Sequence, residues 1–263
     1  MMQLLGYFAT TLIGVSLGFI GAGGSVLAVP VMVYLFSIQP VQATSYSLFI
    51  VGFSSGVGAV SNYRKGLVRT DVALMIGFFS IISVFITRLI ILPAIPSSLG
   101  KINGHTITKS FATMILFATV MLSASVSMVR TPVLKITDGQ SNFFRLALCG
   151  AAIGLIAGLS GIGGGFLIIP SLVLFAGLPM KEAVATSLLI ITLNCITGIA
   201  ADTGHTVFNW NFLFKMTMFA VAGIFTGIIL SKKMGSLNLK KIFGWFVMLI
   251  GCCILLKEFL FNF

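Results

Sequence analysis

Charge is what this chain has least of. Asp, Glu, Lys and Arg make up 8% of its 263 residues, whereas a soluble domain carries roughly 25%. So few charges cannot cover a soluble core. The four cysteines, Cys149, Cys195, Cys252 and Cys253, lie in apolar stretches without a C-x-x-C pair. They suggest neither a disulfide framework nor a zinc site, and read as small buried hydrophobes. No Lys or Arg precedes Arg64, and the first apolar run continues past Val31. A signal peptide, with its basic n-region and polar stop, is therefore not expected. No carboxylate pair stands inside an apolar run to mark a proton relay, and no cofactor is expected.

Apolar residue types are abundant instead: 58% hydrophobic, with 24 Phe, 29 Gly and 12 Met. The runs are continuous, as in Leu116–Met121 and Leu249–Leu256. A membrane β-barrel would alternate apolar and polar residues, so the fold class is an all-α polytopic membrane protein. The net charge of +11 sits between the runs. Topology explains it better than nucleic-acid binding does, with attraction of anions a secondary effect.

Polar punctuation divides the chain into eight segments: Leu4–Phe36, Ala43–Tyr63, Val72–Leu92, Phe111–Val129, Phe144–Phe175, Ala183–Ala201, Phe212–Leu230 and Ile242–Leu256. Most are near the ~20 residues that span a bilayer as helix. The first and fifth are too long for one crossing, and each holds a glycine cluster followed by a proline. These two are copies at an offset of 140 residues. Gly18, Gly21, Gly23, Gly24, Leu27, Pro30 and Val33 fall on Gly158, Gly161, Gly163, Gly164, Leu167, Pro170 and Val173; Ala43, Ser47, Leu48, Ile50 and Gly58 fall on Ala183, Ser187, Leu188, Ile190 and Gly198. The expected organisation is an N-terminal repeat, 1–140, and a C-terminal repeat, 141–263, together one transmembrane domain.

Charge arbitrates how often the glycine segments cross. Eight crossings place eight Lys and Arg on each side, which is no bias. If each glycine segment is a helical hairpin, ten crossings divide the same charges eleven to five, which satisfies the positive-inside rule. A re-entrant hairpin is the other way to fold these segments. Five crossings per half is an odd number, so the repeats would be inverted and both termini periplasmic.

Glycine clusters at membrane depth allow a helix to end and another to begin. Freed backbone groups are tolerated there where they line a cavity. Exposed N–H groups and the positive end of the next helix suit an anion. The candidate binding residues are therefore Gly21, Gly23, Gly24 and Ser25 with Ser47 in the first half, and Gly161, Gly163, Gly164 and Gly165 with Ser187 and Asn194 in the second. Pro30 and Pro170 are candidate helix breaks, and the two breaks are expected to face each other across a central site. His205 is a candidate proton-sensitive gate. Arg88 and Lys215 stand near segment ends, where long cations snorkel, and Asp202 and Glu182 read as interfacial. No Gly-Lys-Ser/Thr follows the glycines, which disfavours a P-loop. Gly158-Leu159-Ser160-Gly161 also matches the Gly-x-Ser-Gly of rhomboid proteases, with His205 as the base. The first-half copy, Gly18-Phe19-Ile20-Gly21, has no serine, so the repeat accounts for the glycines without catalysis.

The two copies, Gly21-Ala-Gly-Gly-Ser-Val-Leu-Ala-Val-Pro30 and Gly161-Ile-Gly-Gly-Gly-Phe-Leu-Ile-Ile-Pro170, resemble the signature of the TauE/SafE sulfite exporter family. The stretch Leu178-Pro-Met-Lys-Glu-Ala-Val-Ala-Thr-Ser187 resembles that family's continuation after its second motif. Ser25 stands where the second copy has a third glycine, and Gln39–Ser45 is a looser version of the second-half stretch. The resemblance implies a bacterial inner-membrane transporter for small sulfur-containing anions: sulfite, thiosulfate, sulfoacetate or other organosulfonates. Its partners would be that anion, the lipid bilayer and a coupling ion, H+ or Na+, with no nucleic acid. An anion channel is the alternative reading.

Overall fold

The computed structural model describes residues 2–21, 23–96, 98–102, 105–130, 143–160, 163–203, 208–232, 244–245 and 248–256. Helices follow the apolar runs: α1 (Met2–Ile20), α2 (Gly23–Tyr34), α3 (Pro40–Tyr63), α4 (Thr70–Ile86), α6 (Lys109–Arg130), α7 (Phe143–Ser160), α8 (Gly165–Leu174), α9 (Met180–Asp202) and α10 (Trp210–Lys232). A π-helical turn, Thr87–Ile91, joins α4 to a short α5, Leu92–Ala94. Residues 248–256 are helical too. The helix α5 ends where Ile95 turns extended (ψ 119°), because Pro96 excludes helical geometry from the residue before it. A two-stranded antiparallel pair, Ser98–Ile102 with His105–Thr108, is the only sheet among the described residues.

Both overlong segments are divided at their glycines. The helix α1 stops at Ile20 and α2 starts at Gly23, with Gly21 between them at φ 83°. In the second copy Gly163 and Gly164, at φ 68° and 75°, separate α7 from α8. The arms then fold back on each other. Gly24 is pressed against Ile13 and Leu17, and Gly164 against Ile153 and Ala157, positions related by the same offset. Near the open end of the first hairpin, Gly6 meets the ring of Phe36. Pro30 and Pro170 lie inside α2 and α8 and do not break them. The chain reverses at the glycines, where left-handed backbone carries no steric penalty.

The segments after each hairpin also match. Ser37 (φ 53°) and Gly177 (φ 67°) take left-handed backbone at positions 140 apart. The next helices start at Pro40, the first residue of α3, and at Met180, after Pro179 in the cap position. Proline has its φ preset for a helix start and no N–H to leave unpaired there.

Packing exchanges the halves. The helix α1 runs along α10, and α7 along α4. Gly14 lies against the backbone of Ala220, just as Gly154 lies against that of Ser80. A side chain at these glycines would force the helices apart, so small residues set the close approach. The helices α3 and α9 run antiparallel: Gly52 meets Cys195, and Gly58 meets Leu188. The Ser55 and Thr192 hydroxyls are 3.0 Å apart. These contacts pair off under the offset too, since Gly198 meets Leu48.

The outer surface is apolar. Leu5, Phe8 and Leu12 on α1, Leu74 and Phe78 on α4, and Phe214 and Met218 on α10 are all exposed, as lipid-facing residues should be. Four helical stretches, Pro40–Tyr63, Thr70–Ala94, Met180–Asp202 and Trp210–Ser231, are long and apolar enough to cross a membrane.

Candidate functional site

The two breaks both lie against α9. Gly21 is buried and touches Val184; Gly163 touches Ile191 and the sulfur of Cys195. Those contacts are separated by seven to eleven residues of α9, hence by about 10–16 Å along its axis. Gly21 and Gly163 therefore lie at different levels along α9.

Asn194 holds the second break. Its Nδ2 donates to the Gly163 carbonyl at 3.3 Å and to Ser80 Oγ at 2.7 Å. Its Oδ1 is buried without a hydrogen-bond partner. An anion needs donors, so this geometry makes Asn194 a support for the break. Gly164 caps α8 in left-handed backbone, and Gly165 is the first residue of that helix. Gly23 begins α2, and Ser25 and Gly24 are buried behind it. Ser187 donates to its own helix, at Val184 O, 2.8 Å away. Ser47, its counterpart, is fully buried with its hydroxyl unpaired. Gly161 and His205 lie outside the described residues. Ser160 donates back to Ile156 O at 2.6 Å, as a helical serine does.

A cavity of about 270 Å³ opens beside the first break. Gly18, Asn62, Lys65, Lys181, Val184 and Ile228 are among its lining residues, and Val184 is the residue that Gly21 touches. Two lysines and no acid face it among the described residues. The loop after α3 holds this end together: the Arg69 amide donates to Thr186 Oγ1 at 3.0 Å, and its guanidinium lies 3.9 Å from Glu182.

One charged cluster escaped the sequence reading. Arg88 and Asp202 are not solvated at segment ends but buried against each other. The Arg88 side chain is 0% exposed and that of Asp202 7%, and Arg88 Nη1 donates to Asp202 Oδ2. Ser45 Oγ donates to the same carboxylate oxygen at 2.5 Å, and Arg88 Nε donates to Gly158 O at 2.9 Å. A buried charge survives only when paired. The sequence signal was present in two charges at segment ends, but not in their pairing across 114 residues.

Broken helices packed against the α3–α9 pair, a cationic cavity beside one break and an apolar exterior define a polytopic membrane transporter. No solved structure matches the chain. The chain belongs to the Sulfite exporter TauE/SafE family, whose pattern it matches over residues 7–254. It is similar to the probable membrane transporter protein YdhB of Bacillus subtilis, with 27% identity over 88% of this chain and 91% of that one. A probable membrane transporter protein of Xylella fastidiosa Temecula1 is 23% identical over 94% of this chain and 92% of its own. The probable membrane transporter protein MJ0441 of Methanocaldococcus jannaschii is 26% identical over 75% of this chain and 73% of its own.

Proposed function

We propose that the protein is a secondary carrier for small sulfur-containing anions such as sulfite, thiosulfate, sulfoacetate or another organosulfonate. The observation that carries this reading is the cavity beside the Gly21 break, with Lys65 and Lys181 in its lining. Lysines at a low-dielectric mouth concentrate anions, and a helix start within the protein offers amide donors to them. The family's description as sulfite exporters supports the substrate class.

Residues 1–140 and 141–263 act as two inverted repeats. The antiparallel course of α3 and α9, which occupy equivalent places in the two halves, supports the inversion. Lys65, Arg69 and Lys181 then mark the cytoplasmic end, and the termini lie on the periplasmic face of the inner membrane. The halves rock about the anion held beside the breaks. The opening beside one break supports a carrier over a channel. The test is a binding titration of purified protein with sulfite, thiosulfate, sulfate and sulfoacetate. Saturable binding of a sulfur oxyanion is expected; binding of none of them refutes the assignment.

A further inference from the structure

Two equivalent places in the fold are filled in opposite ways. Arg88, Asp202, Ser45 and Gly158 form the buried cluster. The residues at the matching positions are Ile228, Asn62, Ala185 and Gly18. Three of these, Ile228, Asn62 and Gly18, line the cationic cavity. In one half this place is a hollow of about 270 Å³; in the other an ion pair stands in it. Asn62 leaves its own side open by donating back to its helix, at Gly58 O, 3.0 Å away, whereas Asp202 reaches across to Arg88.

The backbone differs at the same place. Arg88 is carried on the π-helical turn Thr87–Ile91, and the corresponding stretch of α10 is ordinary α-helix. Single π turns inside α-helices frequently mark functional positions. Here the turn packs against Gly158, whose missing side chain leaves room for Thr87.

The guanidinium is only partly used. Nε is engaged by Gly158 O and Nη1 by Asp202 and Ser45. Nη2 is buried without a partner, as is the Thr87 hydroxyl next to it in sequence. A cluster that served only to staple α4, α7 and α9 together would gain by satisfying these groups. Unmatched donors on a planar cation suit an oxyanion, whose oxygens the guanidinium can take two at a time.

We propose that Arg88 is an anion-binding residue of the transport path, and that Asp202 occupies it in place of the anion, closing the end opposite the cavity. This rests on the anion-transport reading above and names the contact that reading lacks. Carboxylate, sulfite and sulfonate each offer a guanidinium a pair of anionic oxygens, so the transported oxyanion displaces Asp202 by exchange. Arg88 is then paired at every stage, while the displaced Asp202 keeps the Ser45 hydroxyl and turns, at the C-terminal end of α9, toward the opening path. The lock opens when the substrate arrives and re-forms when it leaves.

The experiment compares sulfite and thiosulfate binding, and proteoliposome exchange, in the full-length protein and four variants. Asp202→Asn removes the competitor, so anion binding tightens by about tenfold as the competent fraction rises. Arg88→Lys keeps the charge without the fork and binds more weakly than wild type. The neutral pair Arg88→Gln/Asp202→Asn leaves no buried charge to unfold the protein, and it loses binding and exchange. Wild-type binding by that pair, or weakened binding in Asp202→Asn, overturns the proposal. Loss of binding in Gly163→Ala with full binding in the neutral pair refutes the role of Arg88 while leaving the carrier reading intact. Failure of the wild type to bind either anion refutes both. If Asp202→Asn does not fold, the neutral pair and Arg88→Lys decide.

Discussion

Asn194 donates its amide to the carbonyl of Gly163 at 3.3 Å, so a side chain deep in α9 fixes the backbone interruption between α7 and α8. A buried carbonyl deprived of its donor costs about 1–3 kcal/mol. Asn194→Ala should lower the thermal midpoint and weaken anion binding together. Asn194→Asp, which replaces the donating NH2 with an oxygen, should be worse than Ala in both assays. Differential scanning fluorimetry with and without sulfite separates the two effects.

The close approach of α1 to α10 and of α7 to α4 depends on residues without side chains. Gly14→Leu and Gly154→Leu should each destabilise by about 3 kcal/mol or more, since the inserted atoms meet main chain that cannot yield. Gly77→Ala is the contrast. Its added carbon would meet only Ile190 Cγ1 at 3.9 Å, and the yield of folded protein from membranes should stay near wild type.

Ser37 and Gly177 hold the same left-handed conformation at positions 140 apart, and only glycine does so freely. Ser37→Gly should stabilise by ~1 kcal/mol and Gly177→Ala destabilise by a similar amount. Thermal unfolding of the purified variants checks both signs.

Lys65 and Lys181 face the cavity but carry no part of the packed core. Lys65→Gln and Lys181→Gln should each raise the KM for anion exchange by about threefold to tenfold, by weakening electrostatic attraction at the mouth. Stability should not change. Added salt should shrink the difference between wild type and variants, because it screens exposed charge.

These positions also show where sequence reading ends. The hairpins were legible because glycines recur at one offset in two segments too long for one crossing. The helix α3 was placed to within a few residues because its ends carry Pro40 and a polar loop. The role of Pro30 and Pro170 was misread, since a proline in an apolar run looks like a break when the true break lies at Gly21 and Gly163. Arg88 was misjudged for a geometric reason: the helical stretch runs on to Ala94 through the π turn, which places Arg88 inside it. Its acid comes from the far end of α9, a pairing that no local pattern encodes.

The most direct test of a broken-helix anion carrier is counterflow of radiolabelled sulfite into proteoliposomes preloaded with unlabelled sulfite, for wild type, Gly21→Ala and Gly163→Ala. Saturable accumulation by the wild type, lost in both variants while they remain folded in detergent, is the predicted result. Equal accumulation by all three proteins would contradict the account.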